Sequence, residues 1–311
     1  MPGLDASVSC MPLGHDFCLA PDAAFAGYSS VGRARFKAVE MAEMLPIHDA
    51  AINGDLEGLT REIGRGVSPD IPFGQGGLVP LQLVITNNFI TNDNGVVDLS
   101  DLDNRLACIR LLIDAGANIS AGSGAGVTAL MYAAVSDHPR LVTTLLNAGA
   151  DANQRDDENW TALHYAVYSD RGADSIRILI DAGAAVDARC EAGRTPLDLC
   201  IDERRRELDP LRGDPACSER RRRLYPVLLR AGAALPAERD DADSESDDAE
   251  SESLSDDAAY FQKMRAAGGF RTYERNHLNA IAATFAPKFS HLLPPELVRR
   301  VVEYAFHVGD Y

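Results

Sequence analysis

This 311-residue chain lacks the sequence motifs that most often indicate catalysis or membrane insertion. It contains no Gly-x-Ser-x-Gly, no phosphate-binding glycine loop and no His-Glu-x-x-His. The sequence therefore offers no nucleophile elbow, nucleotide cradle or helical zinc site. No apolar run approaches the roughly 20 residues of a membrane-spanning helix. We predict a protein that is not an enzyme and that has no cofactor, no bound metal and no membrane-inserted segment.

Paired cysteines and positive charge are also scarce. The six cysteines include no Cys-x-x-Cys pair, which disfavours zinc sites and disulfides. Cys108 and Cys200 lie in apolar helical segments and are expected to be buried thiols. Acidic residues outnumber basic ones by 47 to 30, for a net charge of −17, which disfavours a nucleic-acid partner. Without a secretory signal, we expect an intracellular protein in the cytoplasm, with the nucleus as the alternative because of the run Arg220–Arg223.

A repeat of 33 to 34 residues is the most specific pattern present. Thr128-Ala-Leu recurs at Thr161 after 33 residues, and Thr-Pro-Leu follows at Thr195 after a further 34. Leu45 and Val79 begin similar segments, 34 residues apart. An Ala-Gly-Ala marker recurs in phase, beginning at Ala115, Ala148, Ala182 and Ala231. Two markers in phase indicate a solenoid of stacked units, and we predict five.

The unit beginning near Asn159 resembles the ankyrin family. It reads NWTALHYA at its start and IRILIDAGA at its end. The resemblance covers roughly residues 45–235 and implies an all-α solenoid of helix-turn-helix units, with hairpin-like turns and almost no sheet. It implies that His48 and His164 hydrogen-bond the backbone between neighbouring units, and that the Leu-Leu pairs of the second helices, such as residues 145–146, face the stack.

The other segments differ in composition from the repeats. Residues 1–32 are predicted to be an irregular tail, and residues 33–44 a capping helix for the first unit. Residues 236–257 carry eleven acidic residues against one arginine, so we predict a disordered linker. Residues 258–311 carry helical patterns and are predicted to form a C-terminal helical segment.

Two insertions, Asn88–Asp103 and Arg204–Ser218, interrupt the second and fifth units between their helices. Insertions of this length serve as binding loops, or they are tolerated as surface decoration because loop entropy grows slowly with length. The sequence leaves both interpretations open.

The resemblance places partner contacts at the turn tips and on the inner helix of each unit. The matching positions are Leu78, Thr86, Val127, Val135, Asp157, Glu158, Trp160, Tyr168, Glu191 and Arg194. Trp160 occupies a tip position that is expected to be exposed, where it would act with Tyr168 as an aromatic anchor; the alternative is that it packs between adjacent turns. We predict a protein partner with an apolar stripe and basic residues, and the sequence indicates no oligomeric state.

A second hypothesis concerns the C-terminal segment. The sequence Leu293–Leu297 is similar to the start of an F-box and shares a Leu-Pro element with SOCS-type boxes. This resemblance implies a substrate adapter of a ubiquitin ligase. The spacing of the following apolar residues predicts one shared helix face, formed by Leu297, Val298, Val301, Val302 and Ala305.

Overall fold

Helices account for nearly all the regular structure of this chain. The computed structural model describes residues 44–74, 76–86, 99–136, 138–169, 173–201, 222–236, 251–289, 294 and 296–301. These ranges contain no β-strand, only two isolated β-bridges within the turns. None of the helices in the described part of the chain is long and apolar enough to span a bilayer. The predicted tail 1–32 and nearly all of the predicted capping helix 33–44 lie outside the described residues.

Five helix pairs follow one another along the repeats, in agreement with the predicted all-α solenoid. They are α1 Pro46–Asn53 with α2 Leu56–Gly64, α3 Pro80–Thr86 with α4 Leu99–Asp114, α5 Ala129–Val135 with α6 Pro139–Asn147, α7 Ala162–Tyr168 with α8 Ala173–Asp181, and α9 Pro196–Ile201 with α10 Leu224–Arg230. The first helices pack against each other in chain order, from α1 through α3, α5 and α7 to α9. Each unit therefore rests on its neighbours, as stacked repeats do.

Local chemistry sets where these short helices begin. Pro46 opens α1, where its missing N–H removes a donor that has no intrahelical acceptor. The Asp55 carboxylate accepts from the Gly58 N–H at 3.0 Å and caps α2. The Thr128 hydroxyl accepts from the Met131 N–H at 3.4 Å at the start of α5. Helices of only seven to nine residues are marginal alone, so packing between units must hold them.

The core lies between successive helix pairs and is built from aliphatic side chains. Leu145 and Leu179 are completely buried there. The sequence predicts that Leu146 also faces the stack, but this residue is only half-buried. Adjacent helix positions point about 100° apart, so only one leucine of the pair reaches the interior.

The C-terminal boundary of the first predicted insertion differs from the prediction. Helix α4 begins at Leu99, so the last five residues of the predicted insertion Asn88–Asp103 are helical. Leu102 and Leu106 are both buried, and this i, i+4 pair extends the apolar face towards the start of the helix. The other predicted insertion, Arg204–Ser218, lies outside the described residues. Cys108 and Cys200 are buried, as predicted.

Two C-terminal helices, α11 Ser251–Ala266 and α12 Phe270–Phe289, pack on the last unit. The Tyr225 ring of α10 lies 5.5 Å from that of Phe261. The Arg230 guanidinium pairs with the Glu274 carboxylate at 2.7 Å, and Met264 is completely buried. The C-terminal segment thus covers an apolar surface that the fifth unit would otherwise expose.

The start of α11 corrects the predicted extent of the linker. Residues 251–257 were expected to belong to a disordered linker over 236–257, yet the helix includes them. Acidic residues are favourable near a helix N-terminus, where they complement the helix dipole. Residues 237–250, the rest of that linker, lie outside the described residues.

Residues 296–301 form a further helical segment. Leu297, Val298 and Val301, which were predicted to share one face, are unequally buried. Val298 is only 3% exposed, whereas Leu297 is 43% and Val301 56% exposed. The i, i+4 pair therefore points outward while the residue between them anchors the segment.

Replacing Leu179 with alanine should destabilise the whole stack by about 2–5 kcal/mol, because a buried leucine leaves a cavity between two units. Urea unfolding followed by circular dichroism measures this change. Leu146→Ala removes the same atoms from a half-buried position and is the matched control, for which we expect a clearly smaller loss. Equal losses in the two variants would contradict this packing.

Candidate partner-binding surface

The tips of successive hairpin turns are joined by backbone hydrogen bonds. In each bond the N–H of one tip donates to a carbonyl of the preceding tip. The pairs are Gly124 to Gly76 at 2.7 Å, Asp157 to Ala125 at 3.2 Å and Glu191 to Glu158 at 2.9 Å. We call residues 76, 124–125, 157–158 and 191 the tip ladder. Because these hydrogen bonds join the backbones of neighbouring tips, the side chains of the tip ladder keep a regular spacing.

Each tip has a residue in the left-handed region at the same position, next to the end of the turn. These residues are Gly77, Gly126, Asn159 and Gly193, with φ of 59°, 75°, 61° and 72°. Asparagine is one of the few side chains that tolerate this conformation. The residue that follows occupies the same slot in every tip, so Leu78, Val127 and Trp160 are equivalent positions of successive units.

The expectation that Trp160 is exposed is wrong. Its side chain is only 1% exposed. The Trp160 ring lies 5.7 Å from that of His164, 5.5 Å from Tyr165 and 5.8 Å from Tyr168, all of them on α7. The turn closes through a bond from the Asp156 N–H to the Trp160 carbonyl at 3.0 Å, and the indole packs against the helix that follows. Trp160 is therefore part of the interior of its own unit, and these contacts do not show the packing between adjacent turns that was the alternative.

Asp156 organises this turn, and it was not among the predicted site residues. Its carboxylate accepts from the Trp160 N–H at 2.7 Å, from the Glu158 N–H at 3.0 Å and from the Tyr165 hydroxyl at 2.6 Å. Burial raises the pKa of Asp156, and these three donors oppose the rise. An aspartate that opens a four-residue turn is the recognisable signal of such side-chain capping.

Three predicted contact residues carry negative charge on the tip ladder. Asp157 and Glu191 are exposed, and Glu158 is half-buried between them. Partial burial raises the pKa of Glu158, and the neighbouring charges of Asp156 and Glu191 raise it further. These acidic side chains crowd one another, so a cation placed among them would be stabilised.

The remaining predicted residues offer less accessible surface. Thr86, Val135 and Tyr168 are the last residues of α3, α5 and α7; Thr86 and Val135 are half-buried and Tyr168 is buried. Val127 is buried, whereas Leu78 and Arg194 are half-buried. The predicted apolar stripe therefore lies largely inside the stack, and the exposed part of the predicted surface is acidic.

The predicted structural role of the two histidines is confirmed. The Thr161 N–H donates to His164 Nδ1 at 3.1 Å, so His164 Nε2 carries the proton and donates to the Arg194 carbonyl at 3.3 Å. His48 makes the equivalent bonds with the Leu45 N–H and the Ile71 carbonyl. Each ring ties the start of its own helix to the following repeat turn.

Gln82 performs the same function with an amide. Its Oε1 accepts from the Val79 N–H at 3.0 Å, and its Nε2 donates to the Val127 carbonyl at 3.0 Å. The two residue types differ in one respect, because only the imidazole can take up a proton near neutral pH. Burial lowers the pKa of His164 from 6.5 to about 4, with a further contribution from Arg155.

This lowered pKa makes stability depend on pH. Above pH 6.5 the ring is neutral in both states; between 6.5 and about 4 the unfolded chain binds a proton that the folded one excludes. The His164 contribution should therefore fall by about 2 kcal/mol between about pH 7 and pH 5. In His164→Gln this loss should disappear, and Gln82→His should introduce a similar one. Urea unfolding at both pH values tests this, and identical pH dependence in all three proteins would refute it.

A family model described as ankyrin repeats matches the chain in three overlapping copies, at residues 47–156, 100–190 and 130–208. No curated protein matches the sequence at a significant level. The three matches together cover residues 47–208, more than half of the chain. The chain belongs to the ankyrin repeat family.

Proposed function

We propose that this protein binds a basic segment of a partner protein along its tip ladder. Ankyrin repeats are generally protein–protein interaction modules, and the matched repeats include the tips at 124–125, 157–158 and 191. One observation carries the proposal. Asp157, Glu158 and Glu191 lie on adjacent tips whose backbones are bonded at 2.9 Å.

The interior behind these carboxylates supports a rigid surface. Trp160 and Asp156 are buried directly behind the Asp157–Glu158 tip, and the Asp156 carboxylate holds the turn through its bond to the Glu158 N–H. A preorganised surface loses little conformational entropy on binding. Lysine or arginine side chains of a partner would relieve the crowding of the acidic residues, and they would also speed the encounter through electrostatic steering.

Neutralising the exposed tips should therefore weaken partner binding. The double variant Asp157→Asn/Glu191→Gln removes two charges from exposed positions and should leave the fold intact. In quantitative affinity capture with the full chain, basic partners should be depleted about tenfold relative to wild type, as expected for the loss of two charge-assisted contacts.

The matched control is Asp114→Asn/Asp181→Asn. Both residues are exposed at the ends of second helices, α4 and α8, so the variant changes net charge equally but spares the tips. It should retain the wild-type set of partners. If the tip variant and this control capture the same partners in the same amounts, the tip ladder is not the binding surface.

A second candidate function is that of a ubiquitin-ligase adapter. The observation that favours it is the outward orientation of Leu297 and Val301 in the helical segment 296–301, within a sequence similar to the start of an F-box. An exposed i, i+4 aliphatic pair is a common way for a helix to enter an apolar groove.

The double variant Leu297→Ser/Val301→Ser should abolish co-purification of ligase subunits while the melting temperature stays unchanged, since both side chains are exposed. Leu45→Ser/Leu56→Ser removes two exposed leucines from the first unit, which are 42% and 38% exposed, and should have no such effect. Failure of the wild-type chain to co-purify any ligase subunit would end this hypothesis.

A further inference from the structure

A pocket of about 410 Å³ lies where the C-terminal helices meet the last repeat. Its lining comes from α10, α12 and the helical segment 296–301. The residues are Arg230, Arg271, Glu274, Arg275, Leu278, Asn279 and Arg299. Four guanidinium groups thus face one cavity in a protein whose overall charge is −17.

Among the described residues, the lining contains one carboxylate, that of Glu274, against four guanidinium groups. Glu274 is engaged by Arg230, whose Nε and Nη2 both lie 2.7 Å from the same carboxylate oxygen. Arg271 and Arg275 are exposed, and neither has an acidic partner among the described residues. They are four residues apart on α12, where two like charges destabilise a helix. An anion bound between them would remove that repulsion.

The geometry of the lining suits a phosphate group. Arg271, Arg275 and Asn279 follow an i, i+4, i+8 spacing along one edge of α12, so their polar ends are presented in a row. The arginine guanidinium offers two parallel donors that match phosphate oxygens. A phosphate monoester carries a charge of about −1.5 to −2 and three acceptor oxygens, which fits the net positive charge of the lining.

We propose that this pocket binds a phosphate monoester. Arg271 and Arg275 donate to the phosphate oxygens, and Arg230 stays with Glu274 as a fixed wall. The cavity is within the size range of small-molecule sites, roughly 300–1,000 Å³. It therefore holds the group that bears the phosphate, with the half-buried Leu278 as an apolar wall. This pocket is separate from the tip ladder, and the phosphate proposal does not depend on the function proposed for the tip ladder.

The test is isothermal titration of the full chain with O-phosphoserine and with a phosphoserine peptide. Both probes carry the same phosphate, so tighter binding of the peptide assigns the source to a phosphorylated protein, and equal binding assigns it to a small molecule. Serine and the unphosphorylated peptide should not bind. Binding should weaken as salt concentration rises, because ion pairing is screened.

Three variants tie the binding to the pocket. Arg271→Gln/Arg275→Gln should bind at least about tenfold more weakly than wild type, as expected for two lost charge-assisted bonds. Arg271→Lys/Arg275→Lys retains the charge but not the paired donors and should bind with intermediate affinity. Arg140→Gln/Arg300→Gln removes two exposed arginines outside the pocket and should bind normally.

Several results would overturn the proposal. One is no heat of binding with either phosphorylated probe. Another is equal affinity of wild type and Arg271→Gln/Arg275→Gln, which would place the phosphate elsewhere. Equal binding of a single-stranded oligonucleotide and the phosphoserine peptide would indicate a non-specific polyanion surface instead of a monoester site.

Discussion

Hydrogen bonds from one repeat to the backbone of the next are the interaction on which the rest of this structure depends. His48, Gln82 and His164 each accept from the start of their own helix and donate to a carbonyl of the following turn. In the loop after α6, the Asn153 side-chain amide donates to the Gly183 carbonyl at 3.0 Å, and its oxygen accepts from the Ala185 N–H at 2.7 Å. These bonds fix the spacing of the units, and the tip ladder inherits its regular spacing from them.

The same regularity explains how the two proposed sites differ. The tip ladder is a repeated feature, so its chemistry depends on which side chains fall at equivalent exposed positions, here Asp157, Glu158 and Glu191. The arginine pocket is not repeated. It exists only because α11 and α12 cover the last unit and place Arg271 and Arg275 beside Arg230 of α10. The acidic side chains of the tip ladder and the arginines of the pocket thus lie on different elements of one acidic chain.

Sequence periodicity was sufficient to predict the solenoid and the phase of its units, because both depend on local spacing. The structural role of His48 and His164 followed from the resemblance to the ankyrin family. Periodicity was not sufficient for Trp160. The family pattern identifies its slot as a tip, but exposure depends on which way the closed turn directs the side chain, and the Asp156 bonds set that direction. The arginine pocket was missed for another reason: Arg230 and Arg299 are 69 positions apart in the sequence, and no local pattern brings them together.

The side chain whose hydrogen bonds join neighbouring units differs from one unit to the next, and this difference has a mechanical consequence. At the equivalent position of the third unit, Met131 accepts from the Thr128 N–H at 3.3 Å, but a thioether has no hydrogen to donate onward. At this position the joint between the third and fourth units therefore lacks the side-chain-to-carbonyl bond that Gln82 and His164 make across the joints on either side. Under a pulling force applied to the two ends, this joint therefore resists mainly through the packing of α5 on α7 and the backbone bond from Asp157 to Ala125, and less through a buried side-chain bond.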